Sequence, residues 1–307
     1  MVERMAEAAE RDDNPYSGMS EEDYAALCAA EEAEAEAREF EFKRDGMVAF
    51  FDVLGYSQLA ARASEGVIRD VMNALSQAHA EAKQLLDEID LQEESRSVLL
   101  GSDFEDVRSV NISDSLIVHD RFPGTIVAGD EEGEFKGLGD SYRFYRFIRF
   151  CRKVWCVLFE RGLPLRGAIS IGTFYWDHKT MLAGEPVIEA YKASESLSFS
   201  GLILAEDSLP SIVERTRLLY KPEFPVGLDF LQRRLLVPVK TSSGDGLAQR
   251  DVILPDLSAM AGDNLAAYVK SRFEMHEKSV DSPRARAILR NTIDILSIAR
   301  SEKTGRA

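Results

Sequence analysis

From Met47 to Phe51 five apolar residues run without a break, end on Asp52, and are followed by Gly55 and Ser57. An apolar run of that length closed by turn residues predicts a buried strand, and Ser57 marks the start of a helix. Val67, Val71, Leu75, Ala78, Ala82, Leu85, Leu86 and Ile89 then recur every three or four positions, predicting a long amphipathic helix over Gly66–Leu91. Two short strands, Val107–Ile112 and Leu116–His119, form a hairpin with Asp114 in its turn, between acidic, Gly-containing loops at 92–105 and 120–139. A second long helix spans Tyr142–Arg161, with Phe144, Phe147, Ile148, Cys151, Val154, Trp155, Leu158 and Phe159 toward the core. Arg166–Phe174 alternates as a strand. A helix over Gly184–Leu197, a strand over Leu202–Ala205 and a helix over Ser208–Leu219 follow. A looser β segment lies near Leu235–Val239. Asp263–Lys278 and Ser282–Arg300 read as two terminal helices, the second opened by Pro283.

The order β-α-β-β-α-β-α-β predicts an α+β fold with a ferredoxin-like split core: an antiparallel-containing sheet with flanking helices. In that arrangement the first strand lies beside the hairpin. Asp52 and Asp114 then come within reach of a shared cation, on the order of 4–5 Å apart. The division expected is an acidic arm over 1–45, a catalytic domain over 46–240 and a helical extension over 241–307.

Charge sharpens this picture. Of the net charge of −16, residues 1–45 carry fifteen acids against five bases. So acidic a chain lacks the basic footprint of a nucleic-acid binder. The arm reads as disordered to about residue 19 and helical beyond it, either solvated or packed on a partner subunit. No apolar run approaches a membrane span, and the start lacks the charged and apolar regions of a signal peptide, so a cytoplasmic protein is expected. Cys28, Cys151 and Cys156 have no metal spacing and read as reduced thiols.

Two strand-borne acids beside a turn suited to phosphate are what a two-metal nucleotide site requires. Taken alone, Asp52 could equally cap the next helix. The arginines at 143, 146, 149 and 152 read as a solvated row or a weak phosphate site, Arg166 as a triphosphate contact or a structural salt bridge. His119 and His178 read as surface or loop residues, and Trp155 and Trp176 as core and loop anchors.

FFDVLGYSQL, Asn111-Ile112-Ser113-Asp114-Ser115, LPLRGAISIG at 163–172 and GEPVIEAYKASE at 184–195 together resemble the class III nucleotidyl cyclases over roughly Met47–Ala205. The FFDVLGYS, ISDS, LRGAISIG and A-Y-K-x-S-E run is similar to the Pycsar pyrimidine cyclases of bacterial anti-phage defence. The resemblance implies two divalent ions, Mn²⁺ or Mg²⁺, on Asp52, Asp114 and the Val53 carbonyl. It implies a phosphate cradle from the N–H groups of Leu54, Gly55, Tyr56 and Ser57, and a triphosphate contact from Arg166. It further implies a homodimer whose sites are shared between subunits, with the metal acids from one and the transition-state helix, carrying Lys192, from the other.

Departures from the wider family bear on the substrate. The base-reading Lys of purine cyclases falls at Val110, its partner Asp near Met181, the helix Asn at Ile188 and the helix Arg at Lys192. The expectation is a cyclase that converts UTP, or CTP as second choice, to a 3′,5′-cyclic messenger for a separate effector. Tyr56 either reads the pyrimidine or simply packs at the turn. A purine cyclase and a catalytically inactive nucleotide-binding scaffold remain as alternatives.

Overall fold

The computed structural model describes residues 43–56, 64–92, 107–112, 114–122, 132–177, 181–210, 232–242, 244–255, 264–277 and 280–304, with isolated positions at 20, 25, 27, 59 and 61. Among them the elements run β1 (Lys43–Val53), α1 (Glu65–Gln92), β2 (Arg108–Ile112), β3 (Ser115–Arg121), α2 (Glu132–Glu160), β4 (Leu165–Trp176), β5 (Leu182–Gly184), α3 (Glu185–Ser196), β6 (Gly201–Leu204), β7 (Gln232–Thr241), β8 (Gly244–Ile253), α4 (Leu265–Glu274) and α5 (Pro283–Thr304). The sheet order is β2-β3-β1-β4-β6-β8-β7, with β5 on β4. Its first four strands pair antiparallel with one another and have the order of a split βαβ core. The expected neighbourhood of β1 and the hairpin is therefore present.

Strand alternation sorts β1 into two faces. Met47, Ala49, Phe51 and Val53 join the main core with the buried stripes of α1 and α2. Val48 and Phe50 face the other way, with Ile117, Phe174, Trp176 and Ala190 of α3. β1 is buried on both faces because both carry cover, which is why its sequence reads as a continuous apolar run.

Several elements exceed their expected bounds. β1 starts at Lys43, inside the stretch read as the arm. α2 begins at Glu132, inside a stretch read as loop. Glycines at 133, 137 and 139 each cost about 1 kcal/mol of helix propensity. The tightly buried half from Tyr142 onward supplies the packing that carries a helix past such residues. β8 was not anticipated: Gly244–Ile253 pairs with β7 over ten positions and reaches β6 through Leu202 and Ile203. Its exposed positions are Gly244, Asp245, Leu247 and Gln249, and only Val252 and Ile253 are buried, so the buried apolar signal is confined to one end. β5 is too short to leave a pattern.

The arginine row is not a solvated face. Arg143 and Arg146 are buried, and Arg143 pairs with buried Asp120 at 2.8 Å. His119 is also buried, against Phe174 and Trp176. Trp176, read as a loop anchor, ends β4 as a buried residue, whereas Trp155 is in the core and donates to the Leu165 carbonyl. Cys151 and Cys156 are buried and take part in no disulfide. Cys28, Ser57, His178, most of the arm and the helix expected beyond 210 lie outside the described residues. No helix among the described residues is long and apolar enough to cross a membrane.

Candidate active site

Asp52 lies opposite Ser115 on β3 and Arg166 on β4. The pairing with β4 is realised in the side chains: Arg166 Nε donates to Asp52 Oδ2 at 2.6 Å, and a second guanidinium nitrogen donates to the Glu195 carbonyl at 3.1 Å. The Asp52 carboxyl is nevertheless held above the usual carboxylate range. Burial is the largest cause, Arg166 opposes it, and Asp114 and Glu195 add repulsion. A cation at this carboxylate would relieve both the desolvation and the repulsion.

Asp114 is fixed by the backbone. The Val53 N–H donates to the Asp114 carbonyl at 3.1 Å, tying the hairpin turn to the end of β1. One residue on, the Leu54 N–H donates to the Pro164 carbonyl at 2.9 Å. Leu54 thus spends on Pro164 the donor expected to serve a phosphate, which moves the cradle to Gly55 and Tyr56. Gly55 adopts φ 80°, a conformation costly for residues with a Cβ, and its carbonyl accepts from the Leu59 N–H at 3.1 Å. That bond starts the helical turn anticipated after Asp52.

Asp52, Val53, Leu54, Gly55, Tyr56, Asp114 and Arg166 all line one cavity of about 340 Å³. Residues sixty and more apart in sequence are thus gathered at the end of β1. Lys192 is not among the lining residues and is exposed on α3. Met181 and Ile188 are exposed as well, and Val110 is half-buried on β2 opposite Ile117.

Sequence reasoning missed several residues near the site. Lys240, at the end of β7, donates to the Glu195 carbonyl at 3.2 Å. Its pKa is lowered, chiefly by burial and then by Arg166 and Arg284, while Glu195 and Asp52 oppose. Ser282, Arg284, Ala285 and Ile288 complete the cavity from the start of α5. The only hint in the chain was a lysine closing the alternating LLVPVK stretch before a Gly-containing turn.

Among the described residues no group of three or more His, Cys, Asp or Glu side chains is placed to hold a metal. The donor set here is two carboxylates and the Val53 carbonyl, all oxygen, on a crowded anionic centre. That set suits Mg²⁺ or Mn²⁺, hard ions commonly held by one or two carboxylates together with water and substrate phosphates.

No protein-family model matches the chain. None of the curated proteins matches it. Its structural neighbours are nucleotidyl cyclases. The catalytic core of a rhodopsin-guanylyl cyclase with converted specificity, in complex with ATPalphaS, aligns at 15% identity over 69% of this chain and 97% of that one, TM-score 0.41. The guanylyl cyclase domain of the RhoGC fusion protein from the aquatic fungus Blastocladiella emersonii aligns at 13% over 69% and 96%, TM-score 0.36. The adenylyl cyclase CyaB from P. aeruginosa aligns at 14% over 69% and 94%, TM-score 0.36. The fold stands on the strand order and the chemistry on the cavity.

Proposed function

We propose that this cavity is the catalytic site of a pyrimidine nucleotide cyclase. It converts UTP, with CTP as second choice, to the 3′,5′-cyclic nucleotide and pyrophosphate. The observation that carries the reading is the placement of Asp52 and Asp114 on one cavity with the Gly55 turn and Arg166. The catalytic unit comprises the sheet β1–β8 with α1–α3; the acidic arm and the helices from 265 are appended to it.

In this reading Asp52, Asp114 and the Val53 carbonyl hold two divalent ions. When bound, such ions acidify the ribose 3′-hydroxyl and neutralise charge on the departing pyrophosphate. The chain's own residues orient the substrate. The amides of Gly55 and Tyr56 face the phosphates at the helix start. Arg166 would turn its fork from Asp52 to the phosphate oxygens of a bound substrate, since the fork suits either anion. Tyr56, half-buried at the cavity wall, takes the base edge.

The exposed Lys192 fits a site completed by a second copy. Ile188 and Tyr191 on the same helix, and Ile112 at the end of β2, are large apolar residues left 45–53% exposed. Covering them with a partner subunit would bring one protomer's α3 to the other's metal acids. The product would serve as a messenger for a separate effector in anti-phage signalling.

Without a Lys at 110 or an Asp at 181, a purine edge meets no charged reader, which supports a pyrimidine over ATP or GTP. An inactive scaffold would need no pair of carboxylates crowded at one cavity. Asp52→Ala and Asp114→Ala test the chemistry. Each should retain the melting temperature within a few degrees and lose Mn²⁺-dependent cyclic-nucleotide formation by ~10³-fold or more, the scale of a lost transition-state electrostatic group. Turnover near that of the wild type in either variant would refute the two-metal assignment.

A further inference from the structure

The cavity is closed in part by residues outside the sheet. Phe273 of α4 and Val280, Ser282, Arg284, Ala285 and Ile288 around the start of α5 form its remaining wall. These helices are fixed. Arg272 donates to the Glu160 carbonyl at 2.8 Å, and the His276 ring meets the Arg161 carbonyl at 2.7 Å. On α5, Thr292 Oγ1 accepts from the Ser200 N–H at 2.9 Å, and Asn291 donates to the Ser198 carbonyl at 2.9 Å. Ile295 and Leu296 are buried in the core. The segment 282–288 is therefore a built wall of the site.

That wall adds a cation. Arg284 lies close enough to Lys240 to depress its pKa together with Arg166, and Arg284 and Arg166 both line the cavity. Three like charges gathered in a chain of net charge −16 repel one another unless an anion sits among them. Asp52, paired with Arg166 at 2.6 Å, and Glu195 offset part of that charge, and a cation held by Asp52 would remove its share. We propose that Arg284, supplied by the C-terminal helices, binds the polyphosphate of the substrate. Its guanidinium offers a fork of donors to phosphate oxygens. The inference rests on the reading of the cavity as a nucleoside triphosphate site, and it makes the C-terminal helices part of that site.

Inorganic tripolyphosphate, which has no base and undergoes no cyclisation, is the probe. Calorimetric titration of the full chain in Mn²⁺ should show Arg284→Ala binding it roughly 10-fold or more weaker than the wild type, the scale of a hydrogen-bonded charge contact. Arg284→Lys should fall between the two, and the exposed Arg290→Ala, outside the cavity lining, should match the wild type. Unchanged melting temperatures would confirm that all variants fold. Equal affinity in Arg284→Ala, equal loss in Arg290→Ala, or no binding by the wild type would overturn the proposal. A wild type that binds tripolyphosphate through Arg284 but cyclises no nucleotide would instead sink the cyclase reading alone.

Discussion

At Asp52 the desolvation of a half-buried carboxylate outweighs the attraction of Arg166, and the same imbalance recurs at Asp120. There burial raises the pKa from 3.8 to about 6 against the pull of Arg143 and Arg146, with the Cys151 thiol close enough to feel its charge and His119 and Arg44 lining the same small cavity. Between those two pH values the folded chain keeps a proton that the unfolded chain has released. The resulting contribution to stability is complete below pH 3.8 and is lost as pH rises through about 6. It amounts to on the order of 3 kcal/mol. Asp120→Asn removes the titration. Denaturant unfolding at a series of pH values should therefore show the stability of the wild type relative to Asp120→Asn falling from pH 4 to pH 7. A relative stability that is flat, or that rises over this range, would refute the assignment. Asp52 and Asp114 were legible because one closes an apolar run and the other sits in the turn between two short strand signals. Asp120 and Arg143 were not, since their pairing links a strand to a helix that only the fold brings together.

At the scale of elements, α3 carries the largest consequence. It packs on the sheet through Ala190, through a Tyr191–Phe50 edge contact and through Glu189, which accepts from Ser170 at 2.6 Å and Ser208 at 3.0 Å. Its outward face holds Ile188 and Lys192, neither of which lines the chain's own cavity. If α3 serves the neighbouring subunit, Lys192→Ala and Asp52→Ala should each be inactive alone. Co-expressed, they should recover roughly a quarter of wild-type activity, because half the random dimers are mixed and each of those holds one intact site. Absence of recovery in verified mixed dimers would place the whole site within one chain. The long helices were readable from their period and the central strand β1 from its unbroken apolar run, since each has a continuous buried face. β8 escaped because its burial is confined to one end, and the first turns of α2 because their glycines mimic a loop.

Among the described residues, a split βαβ core is widened by β6, β8 and β7, and two C-terminal helices wall the cavity. The core order followed from the succession of elements, because one tight hairpin, β2–β3, and two helical connections leave few ways to pair four strands. The role of the C-terminal helices did not, because contacts between α5 and the Ser198–Ser200 segment span more than ninety residues of chain. The central claim is the identity of the reaction, and a competition assay tests it most directly. Purified protein is given equal UTP, CTP, ATP and GTP with Mn²⁺, and the cyclic products are separated by mass. Cyclic UMP should dominate, or cyclic CMP in its place, over both purine products by at least ~10²-fold, the discrimination expected when polar base contacts decide specificity. Cyclic AMP or cyclic GMP as the main product, or no cyclic nucleotide at all, would contradict the account.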